Sequence, residues 1–79
     1  MPAPLHLFSL RRQPNLQSIA RQELLQSLAA TRVQINQAYR GFDTAQDPEL
    51  VESFVYEISA LQTRYSYLLR RVKELEAPQ

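Results

Sequence analysis

The chain has 79 residues, of which 44% are hydrophobic and 22% charged, with a net charge of +1. This composition is typical of one small globular domain. Cysteine is absent and glycine occurs once, which excludes disulfide stabilisation and argues against a β-rich fold with many tight turns. No stretch approaches the roughly 20 apolar residues of a membrane-spanning helix. The apolar residues 5–10 lack the preceding basic residue of a signal peptide, so a cytoplasmic location is predicted.

Residues 1–14 are predicted to form an irregular N-terminal tail. Three of the five prolines lie there, at Pro2, Pro4 and Pro14, and proline disfavours helix at the residue before it. The only histidine, His6, also lies in this segment, where we expect it to be solvated.

A first helix is predicted over residues 15–41. Asn15 is a suitable N-cap because its side chain can accept a free backbone N–H, and Pro14 as the first helical residue is the alternative start. Gly41 is the predicted terminator, since glycine adopts the left-handed conformation without a Cβ penalty. The apolar face of this helix has Leu25 and Tyr39 beside it, and is formed by Leu16, Ala20, Leu24, Leu28, Thr31, Ile35, Ala38 and Phe42.

A turn at residues 42–47 and a second helix at residues 48–76 follow. Asp47 is a good N-cap, Pro48 suits the first helical position, and Glu49 interacts favourably with the positive end of the helix dipole. Apolar residues then recur at alternating intervals of three and four, the heptad pattern of a helix that packs along a narrow seam. They are Val51, Phe54, Ile58, Leu61, Tyr65, Leu68, Val72 and Leu75.

The predicted fold class is therefore all-α, an antiparallel two-helix hairpin resembling a coiled coil. A connection this short makes the helices antiparallel neighbours, and we expect Ala38 opposite Val51 and Leu28 opposite Leu61. In that register Leu68, Val72 and Leu75 need another cover at the open end. The candidates are Leu16 and Ile19 of the first helix, the apolar residues of the tail, or a second chain. Because so small a core rarely supplies more than about 3–5 kcal/mol, dimerisation into a four-helix bundle is a further expectation.

The heptad of the second helix also allows a parallel two-stranded coiled coil. Its a positions are mostly β-branched and its d positions mostly Leu, which is the preference of such dimers. However, Val55 and Leu69 occupy e positions and widen the apolar stripe beyond a dimer seam. The first helix also has an apolar stripe to bury, so the hairpin is the preferred interpretation.

A contact surface for a protein partner or a second copy is predicted on the second helix. At 100° per residue, four residues cluster nearly opposite the heptad seam, and tyrosine offers a large rigid area with a polar tip. Simple exposure of these side chains is the alternative. With the exposed end of the hairpin, the candidate interaction face comprises Tyr56, Ala60, Thr63, Tyr67, Leu68, Leu69 and Val72.

Charge is distributed unevenly, with +4 in residues 1–40 and −3 in residues 41–79. Antiparallel folding would make the hairpin dipolar, with a basic pole at the open end that could bind phosphates. Weak nucleic-acid binding is thus the alternative function, although cations near a helix C-terminus are also favoured locally by the helix dipole. The predicted basic pole comprises Arg11, Arg12, Arg21, Arg64, Arg70, Arg71 and Lys73.

No catalytic, metal or cofactor site is predicted. One histidine and no cysteine leave no zinc-ligand spacing and no nucleophile–base set. Asp43, Asp47 and Glu49 crowd the turn, but the central glycine and the alternation of a calcium loop are missing. We therefore expect a non-enzymatic protein without a cofactor.

The second half resembles a known family. It reads Asp47-Pro48-Glu49-Leu50-Val51-Glu52, then Val55-Tyr56, then Arg64-Tyr65-Ser66-Tyr67-Leu68-Leu69-Arg70 with Lys73 after it. Over residues 28–73 this is similar to the YaaL-like small bacterial proteins, a family of unknown function. It departs at Ile35, where the family pattern has a large aromatic residue, and at Ser59 and Gln62, where the pattern is acidic. The resemblance implies a small cytoplasmic helical protein and no particular activity.

Overall fold

The computed structural model describes residues 15–77, and this part of the chain folds as two helices with no strand. Helix α1 spans Leu16–Thr44 and helix α2 spans Pro48–Glu76, each 29 residues long. The two helices contact each other along their length, so the predicted all-α hairpin is confirmed. The predicted tail at residues 1–14 lies outside the described residues.

Both helices begin at the N-cap residues that the sequence predicts. The Asn15 Oδ1 accepts the Ser18 N–H at 2.6 Å, so Asn15 is the N-cap of α1 and the alternative start at Pro14 is wrong. At α2, the Asp47 Oδ1 accepts the N–H groups of Glu49 at 2.9 Å and Leu50 at 3.3 Å. Such caps satisfy N–H groups that have no partner within the helix.

Gly41 does not end the first helix. Helix α1 continues to Thr44, and Gly41 has no positive φ; the helix ends where the Ala45 N–H donates to the Gly41 carbonyl at 2.9 Å. The glycine is used for close packing instead, because a Cβ at this position would overlap the ring of Phe54. The connection is therefore shorter than the predicted turn at residues 42–47.

The hydrophobic core is a single seam with two clusters. Nearer the open end, Leu28 packs with Leu68 and Val72, flanked by Leu24 and Tyr65. Nearer the turn, the cluster contains Ala38, Ile58 and Leu61, with Ile35, Phe42 and Phe54 packed against it. The buried hydroxyl of Thr31 donates to the Ser27 carbonyl at 2.7 Å, so this polar group inside the seam is satisfied.

The register of the two helices differs from the predicted one by about one heptad. Leu28 packs with Leu68 and Val72 instead of Leu61, and Ala38 packs with Ile58 and Leu61 instead of Val51. The continuation of α1 from Gly41 to Thr44 moves the turn toward the C-terminus and accounts for part of this shift. Shifting by a whole heptad leaves a and d positions in contact, so the heptad pattern is satisfied by both registers.

Candidate interaction surface

The predicted tyrosine face lies on the surface of α2. Tyr56 is 66% exposed and Tyr67 is 50% exposed, and Ala60 and Thr63 between them are also exposed. The Thr63 hydroxyl donates to the Ser59 carbonyl at 2.9 Å. The guanidinium of Arg70 lies 5.6 Å from the centre of the Tyr67 ring, a cation–π distance that occupies part of this face from within the chain.

The predicted exposed end of the hairpin is corrected by the structure. Leu68 and Val72 are only 9% and 6% exposed because, in the observed register, they pack against Leu28 and Leu24 of α1. They need no cover from another chain. Leu69 remains partly exposed on the side of the hairpin, and Leu75 is half-buried.

The basic side chains of the predicted pole make separate contacts within the hairpin. Arg21 Nε pairs with Glu76 Oε2 at 2.6 Å, Arg71 Nη1 pairs with Glu74 Oε1 at 2.7 Å, and Arg70 lies over a tyrosine ring. Arg64, Arg70, Arg71 and Lys73 spread around about half of the circumference of α2 at 100° per residue. Arg11 and Arg12 lie outside the described residues.

One long side of the hairpin carries apolar residues just outside the seam. In an antiparallel pair the e positions of both helices lie along the same edge. In this hairpin the e-position residues recur at intervals of seven along each helix. We call this edge the apolar flank. Its residues are Leu25, Arg32 and Tyr39 of α1 and Val55, Gln62 and Leu69 of α2.

Contacts between the helices place Arg32, Tyr39 and Gln62 along this edge. The Gln62 side-chain nitrogen donates to the Tyr39 hydroxyl at 3.0 Å, and Arg32 Nη2 donates to the Tyr65 hydroxyl at 3.2 Å. A shallow groove of about 310 Å³ opens at the turn end of the flank. It is lined by Tyr39, Phe42, Val55, Ile58, Ser59 and Gln62.

The opposite edge, formed by g positions, is polar and is called the polar flank. Gln34 and Glu57 line a shallow groove there with Gln37 and Leu61. Ser27 and Arg71 line a second groove nearer the open end. The g positions of this flank are mostly polar, with Leu50, 47% exposed, at the turn end and Ala20 at the open end. The others are Ser27, Gln34 and Gly41 of α1 and Glu57, Arg64 and Arg71 of α2.

Other kinds of site have no counterpart in residues 15–77. No group of three or more His, Cys, Asp or Glu side chains in this range could hold a metal ion. Within the same range, neither helix combines the length and apolar character needed to cross a membrane. Every buried side-chain nitrogen or oxygen in the described part of the chain has a hydrogen-bond partner.

The fold and its surfaces define a class of protein: a small helical hairpin with one apolar edge outside its own core. Comparison with known protein families matches residues 7–77 to the family described as "Protein of unknown function (DUF2508)", and the chain belongs to that family. The match extends beyond residues 28–73, the range of the resemblance found in the sequence. No curated protein and no solved structure matches the chain.

Of the apolar flank, only Leu69 is among the residues predicted for the candidate interaction face, although signals for the whole edge are present in the sequence. Leu25 and Tyr39 were placed beside the stripe of the first helix, and Val55 and Leu69 at e positions of the second. From the sequence, Val55 and Leu69 are interpreted only as a widening of the second apolar stripe, and Leu25 and Tyr39 have no separate role. Recognising one shared edge requires the antiparallel pairing of the helices, which brings the two e rows together.

Proposed function

We propose that the protein is a non-enzymatic interaction module that binds a helical partner through its apolar flank. The observation that carries the proposal is the position of four apolar side chains along one edge of both helices. Leu25, Tyr39, Val55 and Leu69 remain 37–49% exposed in the hairpin. Burying the remaining area against a partner would contribute roughly 1 kcal/mol per side chain, enough for a specific contact when several act together.

A helical partner fits this edge better than a small molecule. The flank runs along both helices, with apolar pairs at its two ends and Arg32 and Gln62 between them. The groove at the turn end is open and shallow, whereas small-molecule sites are concave and enclose most of their ligand. A helix laid along the edge would instead contact residues at heptad spacing, as in helix-in-groove recognition.

The non-enzymatic part of the proposal rests on residue types. The chain has one histidine, His6, and no cysteine, so the common nucleophile–base pairs are missing. As part of the same proposal we assign the protein to the YaaL-like group of small bacterial cytoplasmic proteins. The support is the Arg-Tyr-x-Tyr-Leu-Leu-Arg stretch at residues 64–70.

The tyrosine face remains a second candidate contact surface within this function. It is more exposed than the apolar flank, but one of its tyrosines already contacts Arg70. Nucleic-acid binding at the basic pole has weaker support, because Arg21 and Arg71 each pair with a glutamate. Such pairs reduce the charge available to phosphates.

The proposal is tested by affinity capture from the native host with three baits: the wild type, a Val55→Gln/Leu69→Gln variant of the apolar flank and a Tyr56→Gln/Tyr67→Gln variant of the tyrosine face. The two variants are matched because each changes two exposed α2 side chains to the same neutral residue. We expect partners, including copies of the protein itself, to be retained by the wild type and the tyrosine variant and lost from the flank variant.

Equal helix content of all three baits, measured by circular dichroism, is the required control. Loss of the retained protein from the tyrosine variant alone would move the site to the other face of α2. Equal retention by all three baits would refute a role for the apolar flank.

A further inference from the structure

We infer that the occupant of the apolar flank is the apolar flank of a second copy, arranged antiparallel so that the turn of one hairpin lies beside the open end of the other. The product is a two-fold symmetric four-helix bundle. This inference rests on the proposed function and names its partner. Three observations support it: the residue pattern across the helices, the arrangement of the flank about its centre, and the distribution of charge along the hairpin.

The residue pattern is that of bundle helices. A helix that packs against one neighbour needs apolar residues at a and d only, whereas helices of a bundle add e or g. Both helices here add e positions, with Leu25 and Tyr39 on α1 and Val55 and Leu69 on α2. Because antiparallel pairing puts both e rows on one edge, these four apolar side chains lie on the same side of the hairpin, where a second copy could stack.

The size of the hairpin core also favours a second layer. Among the described residues, the buried apolar side chains are few, and no large side chain is fully buried. Small domains of this length commonly need oligomerisation or another source of stability. The buried apolar residues are Leu28, Ala38, Ile58, Leu61, Leu68 and Val72.

The flank has matching halves about its centre. By heptad position, Leu25 and Leu69 are the apolar pair of the flank nearer the open end, Tyr39 and Val55 are the pair nearer the turn, and Arg32 and Gln62 are midway between the pairs. A two-fold axis at that level, perpendicular to the helices, places each apolar pair on the other pair of the second copy. Residue i contacting j while j contacts i is the property of an isologous interface.

Charge selects the antiparallel orientation. The half of the hairpin near the turn, residues 36–58, has Arg40 against five acidic residues and a net charge of −4. The described half near the open end, residues 15–35 and 59–77, has six basic and three acidic residues and a net charge of +3. The antiparallel dimer pairs these opposite charges, whereas stacking with both turns at one end would pair like charges.

Arg32 lies at the level of the proposed axis and explains why one register is selected. A polar residue in the middle of an apolar helix interface specifies alignment at a cost in stability. The hydrogen bond from Arg32 to Tyr65 holds this guanidinium against its own hairpin. Any shift of the two copies along the helices would place Arg32 against an apolar pair.

Analytical ultracentrifugation of the full chain tests the interface. We expect a monomer–dimer equilibrium whose dissociation constant rises several-fold between 50 and 500 mM NaCl, because salt screens the attraction between opposite halves. The Val55→Gln/Leu69→Gln variant should raise the dissociation constant at least tenfold, and the Tyr56→Gln/Tyr67→Gln variant less than twofold. A dimer that tightens as salt rises would refute the antiparallel orientation.

Cysteine cross-linking tests the orientation directly, because the wild type contains no cysteine. Leu25→Cys mixed with Tyr39→Cys should give a disulfide-linked heterodimer, since the axis brings these positions together. Leu25→Cys alone should not cross-link, since its two copies would be about 21 Å apart along the helices, well beyond disulfide reach. Cross-linking of Leu25→Cys with Leu69→Cys instead would establish the parallel arrangement and overturn the inference.

Failure of this inference is distinct from failure of the proposed function. A wild type that stays monomeric up to about 1 mM overturns the second copy as the occupant, even if the flank variant loses a different protein in the capture experiment. Loss of a different protein from the flank variant would support the interaction module with another partner.

Discussion

The two flanks of the hairpin belong to the same helices and border the same seam, yet they differ in chemistry. On the apolar flank, Leu25, Tyr39, Val55 and Leu69 occupy e positions. On the polar flank, the equivalent g positions are mostly Ser, Gln, Glu and Arg, and the one large apolar side chain among them is Leu50 near the turn. If the proposed contact surface is correct, substitutions on the apolar flank should affect association more than they affect folding of the hairpin.

The largest expected effect is a difference in stability between two neighbouring leucine substitutions, one in the seam and one on the apolar flank. Leu68→Ala removes a side chain buried against Leu28 and should lower the free energy of unfolding by about 2–4 kcal/mol through lost burial and a residual cavity. Leu69→Ala, on the flank, should cost less than about 1 kcal/mol. Urea unfolding at low protein concentration, where association is minimal, measures both.

Equal losses for these two variants would mean that the flank belongs to the core of the single hairpin. The proposed contact surface would then have no basis in the difference between seam and edge.

The next effect is a change in association when substitutions make the polar flank apolar as well. Gln34→Leu with Glu57→Leu would give the polar flank an apolar pair at the groove they both line. A hairpin with two apolar edges can contact a neighbour on each side, so we expect species larger than a dimer. Sedimentation velocity measures this, with Gln34→Asn/Glu57→Gln as the polar control.

Unchanged sedimentation of the leucine variant would indicate that an apolar edge is not sufficient for association. The flank contact would then depend on features other than its hydrophobicity.

A smaller effect concerns Gly41, which lets the polar flank approach α2 closely. Gly41→Ala gains up to about 1 kcal/mol of helix propensity, but its Cβ would overlap the Phe54 ring, and overpacking costs about 1–3 kcal/mol. We expect a net loss of about 1 kcal/mol in the free energy of unfolding. In a Phe54→Leu background the same substitution should become neutral or stabilising.

A double-mutant cycle on Gly41 and Phe54 by urea unfolding checks this coupling. Additive effects of the two substitutions would show that the ring does not limit residue 41.

The smallest effect concerns the ion pair at the open end. Arg21 and Glu76 pair at 2.6 Å, but both side chains are nearly half exposed, and exposed pairs contribute about 0.2–1 kcal/mol. Glu76→Gln should therefore change the free energy of unfolding by no more than a few tenths of a kcal/mol, and less still at high salt. A loss above about 1 kcal/mol would mean that the open end is held mainly by this pair.

Much of the local structure could be predicted from residue types alone. Asn15 and Asp47 each satisfy the first N–H groups of a helix, which is a property of their side chains. The spacing of the apolar residues similarly predicted which face of each helix enters the seam. These features depend on interactions within about one helical turn, so neighbouring residues contain the necessary information.

The register and the candidate site could not be predicted in the same way. Gly41 lies inside α1 because it packs against Phe54, a residue of the other helix, and this contact competes with the tendency of glycine to end helices. Leu68 and Val72 are buried because the observed register places them against Leu28 and Leu24 of α1.

The amino-acid sequence by itself determined two capped helices and their apolar stripes, because capping and periodicity are local. Only the tertiary structure decided the alignment of the helices and the burial of Leu68 and Val72. It also decided that Leu25, Tyr39, Val55 and Leu69 share one edge. The physical reason is that a heptad repeats, so registers one heptad apart bury similar apolar area, and the turn and close contacts between helices select one of them.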